Sequence, residues 1–330
     1  MPGLVVGIGL FTGLVVYHGV GDLYAALAGA GAGILLIAAV HALPLALDAA
    51  GWRAVLPPAE RPAAGRFVVG RWLAVSINTL LPAMQVGGNV VRAQWLARGG
   101  VAGPVAGASV VVDVTTTVLS QVLFAAMGAV IAVAAFGGGD LARVAFAGLA
   151  LLAAGVAGFW QVQRRGVFGG LSRLLGGAVP GGDPSRLTAN ADALDAAVGR
   201  LWAGRRPIVA SIGWHLASWV VGSAETWLAL AFLGHPMPLV TALMLESLAQ
   251  VVRSSAFAVP AALGVQEAGY VLLGRTVGLD ADTGLALSLV RRARDLLVGV
   301  PGLCVWWLDS AALLPQPAAP SHHPGADPAR

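Results

Sequence analysis

Two apolar stretches of this chain are each broken by a proline and a short glycine-rich turn, at Pro82 and at Pro260. Polar side chains lie beside both breaks and could bind the polar part of a ligand: Asn78, Gln85, Asn89 and Arg92 at the first, and Gln266 and Glu267 at the second. Polar, broken helices are costly in a bilayer unless they line a cavity or are buried in protein. A pair of them at matching positions in two halves of a chain predicts a transporter-like substrate site. The alternative is that the amides only hydrogen-bond the backbone groups that the breaks set free.

Asp113 lies deep inside the long apolar run of residues 104–136. An ionised carboxylate is expensive there, so it should face a cavity or a charged partner. In a substrate path this carboxylate would form part of a polar wall, together with Gln121. Otherwise it forms a buried structural pair with an arginine such as Arg92, and the sequence leaves both interpretations open.

Two further groups of charges lie in the second half of the chain. Glu246 and Arg253 share one helical face with Gln250, so they form either an internal ion pair or part of a substrate path. The last apolar segment opens with Arg291, Arg292, Arg294 and Asp295. Arginine at the outer end of a span runs against the positive-inside trend. Binding of an anionic lipid headgroup or of Glu267 would explain it, and snorkelling of the arginines to the interface is the alternative.

The composition is that of a polytopic membrane protein. Of the 330 residues, 57% are hydrophobic and only 11% are charged, whereas soluble domains carry about 25% charged residues. The arginines that give the net charge of +4 lie between apolar segments, where they set topology rather than bind nucleic acid. Cys304 is the only cysteine, and no catalytic motif, metal-ligand spacing or phosphate-binding loop is present. The sequence therefore predicts no enzyme, no cofactor and no metal site.

Six stretches are long and apolar enough to predict spanning helices, which need about 20 residues: 3–20, 31–50, 104–136, 143–163, 207–233 and 283–310. The broken regions 63–98 and 238–278 each predict a helix, a tight break and a second helix. Each half is short for a comfortable span, which favours two re-entrant hairpins. The alternative is that each broken region forms two ordinary spans.

The distribution of arginine predicts the orientation. The loop 51–71 and the linker 164–206 are rich in arginine, whereas 18–30 and 234–238 contain none. Short cytoplasmic loops carry the excess of arginine, so we expect the N-terminus and both arginine-rich segments to be cytoplasmic. Units 31–136 and 207–310 then have the same order of elements in opposite orientations, as in transporters built from inverted repeats.

The predicted fold is thus an all-α polytopic membrane domain over residues 1–314, with about six spanning helices and two re-entrant hairpins in inverted repeats. Within the linker, apolar residues recur at helical spacing and predict a cytoplasmic amphipathic helix on the membrane surface or against the bundle. The tail 315–330 is proline-rich and polar, which predicts disorder.

Several motifs are similar to those of a known family: Gly51-Trp52-Arg53, Arg71-Trp72-Leu73, Ser76-Ile77-Asn78, Leu81-Pro82, Gln85-Val86-Gly87-Gly88, Val91-Arg92-Ala93, Ala108 to Asp113, and Pro260 through Gln266-Glu267 to Gly269-Tyr270. With them the chain resembles the flippase-like proteins that share the transmembrane region of lysylphosphatidylglycerol synthases. It looks closest to the branch associated with hopanoid biosynthesis (HpnL type). The resemblance covers roughly residues 1–310.

The resemblance implies movement of lipid across or out of the bacterial inner membrane. A hopanoid or another amphipathic lipid would be the ligand, and proteins of hopanoid biosynthesis or lipid export would be possible partners. The related synthases carry a soluble aminoacyl-transferase domain after the membrane part. Only about 20 residues follow the last predicted span here, so we expect no aminoacylation of lipid by this chain. The main hypothesis is a lipid transporter. A scaffold for a lipid-modifying complex is the first alternative and an integral-membrane enzyme the second.

Overall fold

The computed structural model describes residues 31–81, 86–137, 146–150, 153–155, 157–158, 160–161, 184–255 and 264–311. All regular secondary structure in these ranges is helical. Several predicted elements lie outside the described residues: the first span at 3–20, the break residues at Pro82 and Pro260, the site candidate Gln85, much of the span at 143–163, and the tail.

The helices of the first half are α1 Gly33–Val40, α2 Ala42–Val55, α3 Ala64–Leu80, α4 Gly87–Ala97 and α5 Gly103–Phe136, with a short 3₁₀ turn at Pro58–Glu60. The second half contains α6 Pro184–Ala203, α7 Arg205–Phe232, α8 Leu239–Ser255, α9 Val265–Thr276 and α10 Ala281–Ala311. Helix α1 is separated from α2 by a turn at His41. Pro44 contributes to this interruption because it has no N–H to donate to the carbonyl four residues earlier.

Two helical stretches of the described chain are long and apolar enough to cross a membrane by composition, Gly33–Val55 and Gly103–Phe136. The second, α5, has 34 residues and is therefore about 51 Å long. This length exceeds the roughly 30 Å of the hydrocarbon core. The described part of the protein is thus all-helical and has membrane-spanning character, whereas the count of six spans stays a prediction.

Both broken regions contain two helices, as predicted. In the first, α3 and α4 pack against each other so closely that a side chain at Gly88 would overlap the main-chain oxygen of Ala74. In the second, α8 packs against α9, and Gly264 stands at the start of α9 with φ of 76°, a left-handed conformation that favours glycine. Whether the hairpins re-enter the membrane from one side stays a prediction.

The centre of the fold is the antiparallel pair of α2 and α7. Two long-range contacts fix its direction. Along the chain, His41 at the turn before α2 comes first and Asp48 of α2 follows, whereas their partners on α7 come in the reverse order, since His215 binds Asp48 and Glu225 binds His41. Helix α5 packs beside this pair, and α10 packs on α3 and α9. The predicted amphipathic helix is α6, which buries Ala197, Val198 and Leu201 among the side chains of the core. It therefore lies against the bundle, which was one of the two predicted positions.

Candidate functional site

Five helices bring charged side chains together in what we call the first charge cluster: Asp48 of α2, Arg71 of α3, Arg92 of α4, Asp113 of α5 and His215 of α7. Oδ2 of Asp113 accepts hydrogen bonds from Arg92 Nη1 at 2.5 Å and from Arg71 Nη1 at 3.5 Å. Arg71 also donates to Asp48 at 2.9 Å. The structure therefore shows the predicted pair of Asp113 with Arg92, and it adds Arg71 and His215 as further partners of Asp113.

His215 connects the two carboxylates of the first charge cluster. Its Nδ1 lies 2.8 Å from Oδ1 of Asp48, and its Nε2 lies 2.9 Å from Oδ1 of Asp113. The ring is 0% exposed and packs over Gly51, where an added Cβ would lie 2.8 Å from Cε1 and Nε2. The glycine of the Gly51-Trp52-Arg53 motif thus makes room for the histidine.

Arg92 is buried, with 0% of its surface exposed. Its guanidinium carbon lies 4.9 Å from the centroid of the Trp52 ring, a cation–π contact. Only Nη1 is bonded, because Nε and Nη2 have no hydrogen-bond partner within the described part of the chain. A fully buried guanidinium of this kind is costly to retain, because the charge has lost its hydration and only partners inside the protein compensate for it.

The second charge cluster joins three glutamates to three arginines of α10. Glu225 pairs with Arg294 at 2.5 Å, Glu246 with Arg291 at 2.6 Å, and Glu267 with Arg292 at 3.2 Å. Smaller polar groups complete it: Tyr270 and Thr226 both donate to Glu246, and Ser288 donates to Glu267. His41 lies 2.9 Å from Glu225, and Asp295 accepts from Arg294 at 2.9 Å.

The two clusters have reciprocal histidine bridges on the same helix pair. His215 of α7 reaches Asp48 of α2, and His41 at the start of α2 reaches Glu225 of α7. Asp48 and Glu225 each lie seven residues before the end of their helix. His41 and Asp48 are also seven residues apart, which at 1.5 Å per residue separates the two bridges by about 10 Å along α2. The clusters thus lie at two levels of one antiparallel pair.

Most of the predicted site residues lie in one of these clusters. Arg92 and Asp113 are in the first, and Glu246, Glu267, Arg291, Arg292 and Asp295 are in the second. Gln266 borders the second cluster through a 3.1 Å hydrogen bond to Ser288. The predicted candidates are therefore split between two places.

One predicted pairing needs correction, because Glu246 binds Arg291 and not Arg253 of its own helix. Glu267 does bind an arginine of α10, as one of the predicted explanations requires, and its partner is Arg292. Arg253 is half-buried and lies near the second cluster. The arginines of α10 do not stand at the outer tip of the helix, because Arg291 lies ten residues, or about 15 Å, inside it. Snorkelling to the interface therefore does not explain them.

The amides at the first break differ in role. Oδ1 of Asn78 accepts a 2.9 Å hydrogen bond from the main-chain N–H of Gly88. This contact joins the end of α3 to the start of α4, which favours the structural interpretation for Asn78. Asn89 is half-buried. Gln121, which was expected in the same polar wall as Asp113 but further along the helix, is buried and donates to Ser254 of α8.

Sequence reasoning missed several members of the clusters: Asp48, His215, His41 and Glu225 altogether, and Arg71 as a site residue. Each of the first four is a polar residue inside an otherwise apolar stretch, and this is the signal that drew attention to Asp113. Applied to every such residue, the same argument would have found them.

An apolar cavity of about 260 Å³ opens beside the second cluster. It lies between α1, α2, α3 and α10 and is lined by Leu45, Val68, Trp72 and Leu297 among others, with His41 at its polar edge. Trp72 closes one side by donating to the carbonyl of Val298 at 2.8 Å. The arrangement places hydrocarbon-like surface next to charged groups, as an amphipathic ligand requires.

The sequence profile described as lysylphosphatidylglycerol synthase TM region matches residues 4–302. The chain belongs to this family. Membership identifies it as a membrane protein related to lipid handling. No curated protein sequence matches the chain, and no solved structure matches it.

Proposed function

We propose that this member of the family moves or hands over an amphipathic lipid in the bacterial inner membrane, with a hopanoid as the first candidate. The observation that carries the proposal is the presence of two buried charge clusters inside the helices of a lipid-related membrane domain. Charged groups at membrane depth are expensive and usually mark ion or substrate paths. Their position inside the bundle, at two levels of the α2–α7 pair, is where a path between the two membrane faces would run.

A substrate would use the polar and apolar surfaces together. The clusters offer guanidinium and carboxylate groups to a lipid headgroup, and two nitrogens of Arg92, Nε and Nη2, have no acceptor among the described residues. The cavity beside His41 offers an apolar surface to part of the hydrocarbon. The choice of a hopanoid rests on the resemblance of the sequence motifs to the hopanoid-associated branch.

A non-transporting scaffold is the second candidate. In that role the ion pairs would serve only to hold α10 and α5 in register, and all charges would be mutually satisfied. The buried N–H groups of Arg92 without a described partner favour the transporter instead. A metal-dependent lipid-modifying enzyme would need a set of metal ligands. Within the described residues, no three His, Cys, Asp or Glu side chains are placed to hold a metal ion.

The test is the lipid composition of separated inner and outer membranes from a deletion strain. We expect hopanoid to accumulate in the inner membrane and to return to its normal distribution when the wild-type gene is restored. Glu267→Gln keeps the shape of the side chain but removes the charge that binds Arg292. We expect this variant to be present at normal level in the membrane and to fail in restoring the distribution.

Glu60→Gln is the matched control, because Glu60 is exposed in the loop between α2 and α3. It should restore the distribution fully. An unchanged hopanoid distribution in the deletion strain would contradict the choice of lipid. Loss of the Glu267→Gln protein from the membrane would favour the purely structural role of the ion pair. The double variant Glu267→Gln/Arg292→Gln then serves as a check on that role. It should bring back part of the lost protein, because removing both partners costs less than leaving one buried charge alone.

A further inference from the structure

We infer that His215, held between Asp48 and Asp113, is a proton-binding site and that the bound proton is the ion coupled to lipid movement. The inference rests on the proposed transport function and supplies its energy source. It follows from counting the hydrogens that the contacts of the ring require.

Both ring nitrogens of His215 face groups that can only accept. Ionised carboxylates have no hydrogen to donate, and they lie 2.8 Å from Nδ1 and 2.9 Å from Nε2. Thr117 is also 3.2 Å from Nε2, but its hydroxyl hydrogen is used in a 2.8 Å bond to the carbonyl of Asp113. A neutral imidazole has one N–H, and two are needed here. Asp48, His215 and Asp113 together therefore hold one proton more than a neutral imidazole between two ionised carboxylates would.

The extra proton belongs on the ring. Arg71 donates to Asp48, and Arg92 and Arg71 both lie against Asp113, and these cations favour the ionised form of both carboxylates. The elements packed on α7 supply no other charged contact to the ring among the described residues: α2 provides Asp48, and α5 provides Asp113. His215 is thus the one group of the first cluster whose charge can change without breaking an arginine pair.

The equivalent histidine at the other level has different contacts. Nδ1 of His41 lies 2.6 Å from Nη1 of Arg294 and 2.9 Å from Oε1 of Glu225. One nitrogen makes both contacts, so they do not call for an N–H on each of the two ring nitrogens as the contacts of His215 do.

Release of the proton would weaken the contact between the two helices. After His215 loses one N–H, a bare nitrogen faces a carboxylate oxygen at less than 3 Å, and the lone pairs repel each other. The α2–α7 pair then separates at this level. In the coupled cycle, one proton is taken from water on one side and returned to water on the other side for each lipid moved.

The first measurement is independent of lipid. The ¹⁵N signals of labelled histidines are recorded for the full-length protein in nanodiscs, and His215 is assigned by its loss in His215→Gln. At neutral pH we expect two N–H nitrogens for this ring, and one N–H and one bare nitrogen after the pH is raised. Gly51→Ala should shift these signals because its Cβ meets the ring, whereas Gly213→Ala, with open space around it, should not. A ring with one N–H at every pH would overturn the inference.

The second measurement is lipid distribution under a pH gradient. The protein is reconstituted with a hopanoid tetrol in vesicles of phosphatidylethanolamine and phosphatidylglycerol, and brief periodate treatment counts the tetrol in the outer leaflet by its vicinal diols. One proton per lipid predicts about a tenfold change in the ratio between leaflets for each pH unit of gradient. His215→Gln should lose this dependence.

The outcomes separate the two proposals. A ring that titrates while the wild-type distribution ignores the gradient would overturn the coupling but leave transport in place. A ring that titrates in a protein that moves no tetrol under any gradient would refute the proposed transport and the coupling with it.

Discussion

Replacing Asp113 by asparagine should cause the largest loss of stability among single changes in the first charge cluster. The carboxylate is 0% exposed and accepts from Arg92 at 2.5 Å, His215 at 2.9 Å and Arg71 at 3.5 Å. Asparagine keeps the shape of the side chain but removes its charge. Asp48 is then the one anion left in the cluster to balance Arg71, Arg92 and His215. Removing one partner of a buried ion pair costs about 3–5 kcal/mol, and the loss should lie in the upper part of this range because three contacts are affected.

A companion variant shows whether charge balance or packing causes the loss of stability in Asp113→Asn. Arg92→Met removes one of three cations, together with two buried nitrogens, Nε and Nη2, that have no described acceptor. We expect a smaller loss than for Asp113→Asn. The double variant should be more stable than Asp113→Asn alone, because one uncompensated cation has been removed. Asp309→Asn is the matched control. Its ion pair with Arg98, at 2.6 Å, is 34% and 43% exposed, and exposed pairs contribute only about 0–1 kcal/mol.

The assay is reversible unfolding in mixed micelles followed by tryptophan fluorescence, with the free energy of unfolding compared among the four variants and the wild type. Two results would refute the reasoning. One is an equal effect of Asp113→Asn and Asp309→Asn, which would mean that Asp113 is hydrated. The other is a double variant whose loss is the sum of the single losses, which would mean that Arg92 and Asp113 do not interact.

Three other changes follow from the geometry. Tyr270→Phe removes the hydroxyl that donates to a buried glutamate at 3.0 Å; the loss should be about 1.5–3 kcal/mol in the same unfolding assay, and no loss would place water in that contact. Gly88→Ala should separate α3 from α4 and reduce the amount of folded protein in the membrane, whereas Gly65→Ala, with nothing near its added Cβ, should stabilise α3 by about 0.5–1 kcal/mol; equal effects would contradict the close packing. Single cysteines at Gly182 and His235, in a Cys304→Ser background, should react with impermeant reagents from the cytoplasmic and the outer side respectively, and labelling from the same side would contradict the inverted repeat.

Local pattern was enough to predict the helical elements. The broken regions 63–98 and 238–278 each contain two helices, α3 with α4 and α8 with α9, as expected where proline and glycine interrupt an apolar stretch. The length of α5 and the amphipathic character of α6 are likewise properties of contiguous residues. The pairing of Arg92 with Asp113 was open from the sequence, since a buried acid needs a cation but the sequence does not say which.

The contacts that build the two charge clusters could not be predicted from local sequence patterns. His215 and Asp48 are 167 residues apart, and His41 and Glu225 are 184 apart, so neither bridge has a periodic signal. Glu246 had Arg253 seven residues away on its own helix, but it binds Arg291, 45 residues away. The packing of α8 on α9 and of α9 on α10 decides that choice, and helical spacing alone favoured the wrong partner.

The most direct test of the proposed function is the rate at which the purified protein exchanges a hopanoid tetrol between the leaflets of a vesicle without any gradient. Periodate gives the fraction of tetrol in the outer leaflet over time. We predict that vesicles with wild-type protein equilibrate the tetrol much faster than protein-free vesicles, and that vesicles with folded Glu267→Gln do so at a strongly reduced rate. Equal rates in wild-type and protein-free vesicles would contradict the account.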